Sequence, residues 1–578
     1  MPTAPISANS PPVARRTLLR GLGLAGAAAA VTGLTSCTNT SAAQTEVPTP
    51  ASIAAASGSS SAAATTAASS SSAASSSAAS SSGATPADSP VGSASSGEIT
   101  ASGVDRALVA LPDIIARNMT KTKVPGLAIA VVYDGKVRYL EGFGIRHIGR
   151  PAVVTADTVF YLASVSKPIS STVVAAAFTK KLAKVGWDDP IQAALPRFDL
   201  SDQWVGKRVT AADMFAHRSG LPDHAGDLLE DLGYKGPEII AKLAKFPLGR
   251  FRDNYEYTNY GLTAGAEALA ASAGRPWAQL SKQMVFGPLG MTSSSFTMAD
   301  LMARPNRAAM HHKVNGRWTS NIWANYDGQA PAGGASSSVR DLSKWLSMLL
   351  ADGKSVTDTE QLQRIWQPSS VKPGLPEIGY PASFYGLGWN VNYESTGELR
   401  LSHSGAFGRG AATAITVIPS KKLAIVVLTN GIPLGVPEAI TVEFTDIARY
   451  GKSTEDDWLA KIGPYFEEAV TADEKKYSVP AVKPAAARPL SAYVGSYANS
   501  FYGNLTVSAR DGGLVFKVGP AVQSFPLRHH SGNDFYFATT GENASGLSGA
   551  PFVGSSTRIT SVTINAWNKD KLGTFVRA

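Results

Sequence analysis

The chain has 578 residues, 44% of them hydrophobic and only 17% charged; its length argues for several units of roughly 150 residues, and so small a charged share for one charge-poor, unfolded stretch. The 53 Lys+Arg against 44 Asp+Glu leave a formal charge of +9, but the basic residues occur at most in pairs, never in runs, and no nucleic-acid motif accompanies them. The single cysteine, Cys37, excludes an intrachain disulfide and a thiolate zinc site.

Residues 1–37 contain no Asp, Glu or Lys, and their charges are Arg15, Arg16 and Arg20, ahead of a small-residue apolar stretch from Gly21 to Leu34. A positive region followed by a short apolar core predicts an export signal, too short to span a bilayer comfortably. Arg15-Arg16-Thr17-Leu18-Leu19-Arg20 resembles the twin-arginine signal. Leu34-Thr35-Ser36-Cys37 resembles a bacterial lipobox, which makes Cys37 the expected lipidation site; a plain signal peptide is the alternative. Residues 38–98 are almost entirely Ser, Ala, Thr, Gly and Pro. Such a segment has too few large apolar groups to offset its ordering entropy. As a flexible coil it spans about 40–45 Å, which makes it a tether.

Globular texture begins near residue 104. Val104–Lys121 has helical apolar spacing, with an interruption expected at Pro112. Leu127–Tyr133 and Val137–Phe143 are apolar runs joined by Asp134-Gly135, a hairpin signal. A third run, Thr158–Ala163, leads into Ser164-Val165-Ser166-Lys167, and Ile169–Leu182 reads as a buried helix. Serine chemistry needs a hydroxyl deprotonated at the moment of attack and a base beside it. Ser164 and Lys167 at i, i+3 share one helix face, a buried lysine can serve as base, and the helix start offers unpaired N–H groups to an oxyanion. Ser369-Ser370-Val371-Lys372 repeats the spacing, but between Pro368 and Pro373 it reads as a loop.

Two further motifs follow in order. Tyr257-Thr258-Asn259 precedes a helix-like run, Leu262–Ala273, and His403-Ser404-Gly405 heads a Gly-rich stretch leading to the β-like Ala414–Ile418 and Leu423–Leu428. Each is common alone, and Tyr257 as core packing or Asn259 as a helix cap are the plain alternatives. No Gly-x-Ser-x-Gly occurs, so an α/β-hydrolase nucleophile elbow is absent. His311-His312 and His529-His530 lack the i, i+4 spacing of helical metal ligands and are expected on the surface.

Ser164-x-x-Lys167, Tyr257-x-Asn259 and His403-x-Gly405 together resemble the three motifs of the serine hydrolases grouped with class C β-lactamases, D-Ala-D-Ala carboxypeptidases, D-aminopeptidases and related esterases. His217-Arg218-Ser219-Gly220-Leu221-Pro222, Pro288–Thr292, Gly333-Gly334 before Asp341-Leu342, and Tyr385-Gly386-Leu387-Gly388-Trp389 are similar to landmarks of that family. The resemblance implies an α+β catalytic domain of two subdomains, with a central antiparallel sheet flanked by helices. It also implies an acyl-enzyme on Ser164, with Lys167 and Tyr257 sharing the base role. The N–H groups of Ser164 and Ala406 would form the oxyanion hole, and Asn259 would bind the acyl-side amide. No metal or organic cofactor is implied. The β-lactamase pattern begins its third motif with Lys; here His403, only partly protonated near neutral pH, argues against efficient β-lactam hydrolysis. Arg409 is a candidate replacement cation, or a solvated loop residue.

Beyond this region Thr454–Lys476 reads as a helix and Ser478–Pro489 as a Pro/Ala-rich linker. Short β-like runs then recur at Tyr493–Tyr497, Leu505–Ala509, Leu514–Val518, Ser524–Leu527, Phe535–Ala538, Ile559–Asn565 and Gly573–Val576, the pattern of a small antiparallel barrel. Tyr493-Val494-Gly495-x-Tyr497 and Tyr502-Gly503-x-Leu505 resemble the lipocalin-like domain of some D-peptidase relatives.

The expected organisation is a signal with lipobox (1–37), a tether (38–98), a serine hydrolase domain (99–453), a helix and linker (454–489) and a lipocalin-like barrel (490–578). The expected function is an exported, lipid-anchored serine hydrolase acting on D-residue or cell-wall peptides or small esters, with the membrane and a small substrate as partners and no nucleic acid. A class C-like β-lactamase and a non-catalytic envelope protein that binds wall peptides are the alternatives.

Overall fold

Leu127–Val132 is apolar at every position, as suits a strand covered on both faces. It lies inside an eight-stranded antiparallel sheet, paired on one side with the edge strand Lys136–Gly144 and on the other with Leu423–Thr429. The computed structural model describes residues 97–578 apart from 321–322, 373–382, 395 and 468–469. The arginine pair, Cys37 and the Ser/Ala-rich stretch therefore lie outside the described residues. The strands are β1 (Gly126–Tyr133), β2 (Lys136–Gly144), β3 (Phe160–Tyr161), β4 (His311–Val314), β5 (Arg317–Ser320) and β6 (Ser336–Ser337). They continue with β7 (Ser370–Lys372), β8 (Ser383–Tyr385), β9 (Asn390–Tyr393), β10 (Leu399–Phe407), β11 (Ala411–Ile418) and β12 (Leu423–Thr429). Strands β3–β6 and β4–β5 form separate two-stranded ribbons.

Alternation along β1 and β12 divides the core. Leu127, Ile129, Val131, Ile425 and Val427 pack against the helices Ala101–Thr122 and Val436–Tyr450. Those helices cross so closely that a Cβ on Gly103 would lie 2.1 Å from the Ala448 carbonyl oxygen, which requires glycine there. Ala128, Ala130, Val132, Val426 and Leu428 face the other way, toward the Val339–Leu350 helix and the rest of the catalytic core. The Asp134-Gly135 hairpin has positive φ at both turn residues (47° and 73°), the backbone that matches strand twist.

Four expectations change. Pro112 does not interrupt its helix, which runs from Ala101 to Thr122 because Val104, Ala107, Leu111, Ile114 and Ile115 bury one continuous face that outweighs the missing N–H. Ser370–Lys372 is an edge strand rather than a loop, with Lys372 buried. Thr454–Lys476 is not one helix: among its described residues Trp458–Ile462 gives way to a 3₁₀ turn at Gly463-Pro464, and Ala472–Tyr477 is a separate helix. His311 is buried, its Nδ1 3.0 Å from the Asn430 carbonyl oxygen and its Nε2 accepting the Ile148 N–H at 3.0 Å.

The C-terminal strands are β13 (Gly495–Ala498), β14 (Leu505–Arg510), β15 (Gly513–Val518), β16 (Gln523–Ser531), β17 (Asp534–Ala538), β18 (Leu547–Gly554), β19 (Ile559–Thr563) and β20 (Thr574–Arg577). They make a closed antiparallel barrel, shut by the pairing of Tyr497 with Arg577. The buried rings of Phe516, Phe525, Phe537, Trp567 and Phe575 pack together as its core. Strand β18 has no sequence signal, since Gly549 and Pro551 break its pattern. Contacts such as the Gly549 N–H to Asp473, at 2.7 Å, come from outside the strand.

Candidate active site

Ser164 stands where β3 turns into a helix. A single 3₁₀ turn, Ala163–Val165, links the strand to the Ser166–Thr179 helix. Ala163 is fully buried with φ at +48°, a left-handed conformation costly for alanine and held here by its surroundings. The Leu162 N–H bonds the Ala335 carbonyl at 2.8 Å, and the Leu162 carbonyl accepts the Thr413 hydroxyl at 2.7 Å.

Lys167 is fully buried, one turn beyond the serine. Its Nζ lies 2.8 Å from Asn259 Oδ1, 2.8 Å from the Ala332 carbonyl oxygen and 3.2 Å from Ser164 Oγ. Burial lowers its pKa to about 7, against the opposing pull of Asp227. The neighbours fit a neutral amine. The amide and carbonyl oxygens only accept, so they take its two hydrogens and leave the lone pair facing Ser164 Oγ. The Tyr257 hydroxyl donates to the same Oγ at 2.7 Å, and burial pushes that phenol well above its ordinary pKa, so it stays protonated.

Asn259 opens the Asn259–Ser272 helix, but the capping position belongs to Thr258. The Asn259 side chain instead bridges Lys167 and Asp227, donating from Nδ2 to Asp227 Oδ2 at 2.8 Å. Asp227 is buried and its Oδ2 also lies 2.9 Å from His224 Nδ1.

His403 and Gly405 lie on β10, which pairs with β9 only over Leu399–Ser402. From His403 to Phe407 that edge is turned to the serine turn. A Cβ on Gly405 would lie 2.3 Å from the Leu162 carbonyl oxygen and 2.9 Å from the Ser164 nitrogen, so only glycine admits this approach. Ala406 follows on the same edge. His403 is buried; its Nδ1–H donates to the Ser404 carbonyl at 2.7 Å, which leaves Nε2 to accept the Tyr385 hydroxyl at 2.8 Å. Burial, reinforced by Lys167, lowers its pKa to about 3, so the imidazole is neutral. Ser404 lies beside Glu438, a buried carboxyl that burial pushes up to about 8 despite the Ser404 hydroxyl.

Arg409 sits in the turn between β10 and β11. Burial raises the Asp231 carboxyl above its ordinary value, against hydrogen bonds from Asn543 and Glu542 and, least of these, the Arg409 guanidinium. The barrel reaches the same turn. Glu542, between β17 and β18, accepts the Gly408 N–H, the Arg409 N–H at 3.3 Å and the Tyr326 hydroxyl at 2.9 Å. Asp231 accepts the backbone N–H groups of Glu542 at 2.7 Å and Asn543 at 2.8 Å, and Asn543 Nδ2 donates to the Asp227 carbonyl at 3.0 Å.

The structure thus brings Ser164, Lys167, Tyr257 and Asn259 into direct contact, with His403, Gly405 and Ala406 along the facing strand and Arg409 at its far turn. Sequence reasoning missed Asp227, Tyr385 and Glu542. Asp227 lies just beyond the His217–Pro222 landmark and Tyr385 begins another, but nothing in the sequence around Glu542 marks it.

A serine at a strand-to-helix turn, beside a buried lysine and facing the edge of an antiparallel sheet, is an arrangement suited to a serine hydrolase. Residues 111–443, more than half of the chain, match the family described as Beta-lactamase, and the chain belongs to that family. It is a serine hydrolase. Residues 479–572 match a domain of unknown function, DUF3471. The chain is 27% identical over 344 residues to penicillin-binding protein 4 of Amycolatopsis lactamdurans, covering 57% of this chain and 85% of that protein. It is 22% identical over 318 residues to the D-alanyl-D-alanine-carboxypeptidase/endopeptidase AmpH of Escherichia coli K12, covering 54% and 80%. Similarity to the unguisins hydrolase ungD' of Aspergillus campestris is 24% over 417 residues, covering 68% and 76%. The fold matches the octameric penicillin-binding protein homologue from Pyrococcus abyssi with a TM-score of 0.52 at 21% identity, over 79% of this chain and 98% of that one.

Proposed function

We propose that this enzyme hydrolyses amide or ester bonds of short peptides, with D-residue and cell-wall fragments as the leading substrates, through an acyl-enzyme on Ser164. The observation that carries the reading is the position of Ser164 Oγ, 3.2 Å from Lys167 Nζ and 2.7 Å from the Tyr257 hydroxyl. As Oγ attacks the carbonyl carbon, its proton passes to neutral Lys167. The N–H groups of Ser164 and Ala406 receive the oxyanion. Tyr257 protonates the leaving amine or alkoxide and recovers a proton from Lys167. Water then attacks the ester in the reverse sense, and Asn259 holds both Lys167 and the acyl-side amide.

Neutral His403 is a poor anchor for a substrate carboxylate, and Arg409 lies by Asp231. Both points favour peptide or ester substrates over β-lactams. The name of AmpH, a peptidase, supports the same substrate class. The N-terminal signal and Cys37 support a further proposal: the protein is exported and held in the bacterial envelope by a lipid on Cys37, with residues 38–98 as the tether.

Purified protein should form a covalent adduct with a fluorophosphonate or fluorescent penicillin, and Ser164→Ala should abolish it; labelling that survives the change discards the mechanism. A turnover screen of nitrocefin, p-nitrophenyl acetate, D-Ala-D-Ala peptides and D-aminoacyl anilides should favour the ester and peptides, and dominant nitrocefin hydrolysis would overturn the substrate preference. Adduct without turnover on any substrate would instead favour a binding protein. Cys37→Ala should release the chain from membranes, and a variant that stays bound refutes the anchor.

A further inference from the structure

Lys167 is fixed by a helix, but Tyr257 sits in an extended segment ahead of one, and something must hold it. Three successive backbone N–H groups around it are each accepted by the segment 217–224. The Glu256 N–H bonds the His217 carbonyl at 2.9 Å, the Tyr257 N–H bonds Asp223 Oδ1 at 3.0 Å, and the Thr258 N–H bonds His217 Nδ1 at 3.1 Å. In return the His224 N–H donates to the Tyr257 carbonyl at 2.8 Å. His217 therefore grips both sides of the tyrosine, once with its backbone and once with its ring.

The ring is buried against two phenols, tilted 41° and 48° to their planes. Its centroid is 4.5 Å from that of Tyr257 and 4.9 Å from that of Tyr385, whose hydroxyl holds His403. Because Nδ1 accepts an N–H, the ring proton is on Nε2, which has no hydrogen-bond partner among the described residues. An unpartnered buried donor costs stability, as does the left-handed φ of +55° at this non-glycine position. Two local costs at one residue call for a local return.

We infer that His217 and Asp223 are positioning residues for Tyr257: their ring nitrogen, carbonyl and carboxylate fix the backbone at 256–258 and so aim the phenol at Ser164 Oγ. The ring must be neutral to do this, because a second ring proton would face the Thr258 N–H donor to donor. Neither residue touches the reacting atoms. The inference rests on the role proposed for Tyr257, and misplacing such a group by about 1 Å can cost on the order of 100-fold in rate.

The test is a double-mutant cycle in the full chain, with turnover of a D-aminoacyl anilide and the rate of fluorophosphonate labelling at Ser164 as readouts. His217→Ala and Asp223→Ala should each lower kcat by about 10- to 100-fold with KM changed less than about twofold. His217→Asn, which tolerates a left-handed backbone and offers an oxygen acceptor, and Asp223→Asn, which keeps Oδ1, should recover most of the loss. In a Tyr257→Phe background the same alanine changes should cost less than about twofold, because there is no longer a phenol to aim. Should His217→Ala fail to fold, the Asp223 pair carries the test alone. Undiminished kcat in the alanine variants, equal losses in Asp223→Ala and Asp223→Asn, or losses that persist in full beside Tyr257→Phe would overturn the inference. Failure of the wild-type protein to label at all would refute the proposed function instead.

Discussion

Glu542 of the barrel accepts the Arg409 N–H at 3.3 Å and the adjacent Gly408 N–H in the turn that closes β10. That turn lies two residues beyond Ala406, on the strand that faces the nucleophile. A hydrogen bond to a charged acceptor is typically worth about 1.5–3 kcal/mol, more than one to a neutral acceptor. Glu542→Ala should therefore loosen the strand and lower kcat about 10-fold, while the circular dichroism of the barrel stays unchanged. Glu542→Gln, which keeps an oxygen acceptor, should lose less. Wild-type kcat in Glu542→Ala would show that the turn holds its shape without the barrel.

The buried amine of Lys167 sets the acid side of the pH profile. It is the base only when neutral, and its pKa is about 7. As pH falls through that value the amine gains a proton, and the labelling rate at Ser164 should drop about tenfold per unit below it. A limb near the ordinary lysine value of about 10.4 would contradict the desolvated site. Lys167→Ala should cost on the order of 10²–10⁴ in kcat above pH 7, where the wild-type amine is neutral, and erase the limb.

Tyr257→Phe removes the hydroxyl that contacts Ser164 Oγ at 2.7 Å and leaves the ring packing intact. The expected result is a kcat loss of about 10²-fold or more on anilides, whose leaving amine needs a proton. Activated p-nitrophenyl esters, with a good leaving group, should suffer less. Comparing the two substrate classes on one enzyme preparation checks this, and equal losses would remove Tyr257 from leaving-group protonation.

Glu438 predicts a pH-dependent stability. Its carboxyl titrates at 4.5 when solvated and at about 8 when buried. The raised folded value means that its protonated form contributes fully below about 4.5, and that contribution is lost as pH rises through 8. The limiting slope is about 1.4 kcal/mol per pH unit. Glu438→Gln, permanently neutral, should melt close to the wild-type protein near pH 5 and several degrees above it at pH 8. A melting difference independent of pH would mean the carboxyl is already ionised in the fold.

The three polar motifs were legible in the sequence because each is local. A strand running into Ser164-x-x-Lys167 sets serine and lysine one turn apart, and Tyr257-x-Asn259 ahead of an apolar run puts both groups at a helix start. Alternating and continuous apolar runs likewise announced β1, β2, β11, β12 and most of the barrel. The sequence reading went astray where local preference lost to packing. Pro112 stays helical because a long apolar face holds it, β18 forms through Gly549 and Pro551 because neighbouring strands and Asp473 supply its partners, Lys372 lies in an edge strand rather than a loop, and His311 is buried rather than at the surface. Which oxygens surround Lys167, and hence that its amine is neutral, depended on Asn259 and Ala332, 92 and 165 residues away along the chain. The neutrality of His403 and the reach of Glu542 are of the same kind. Desolvation and long-range hydrogen bonding exist only once distant segments have met, so the sequence by itself determined which groups are at hand, and the tertiary structure decided their charge and aim.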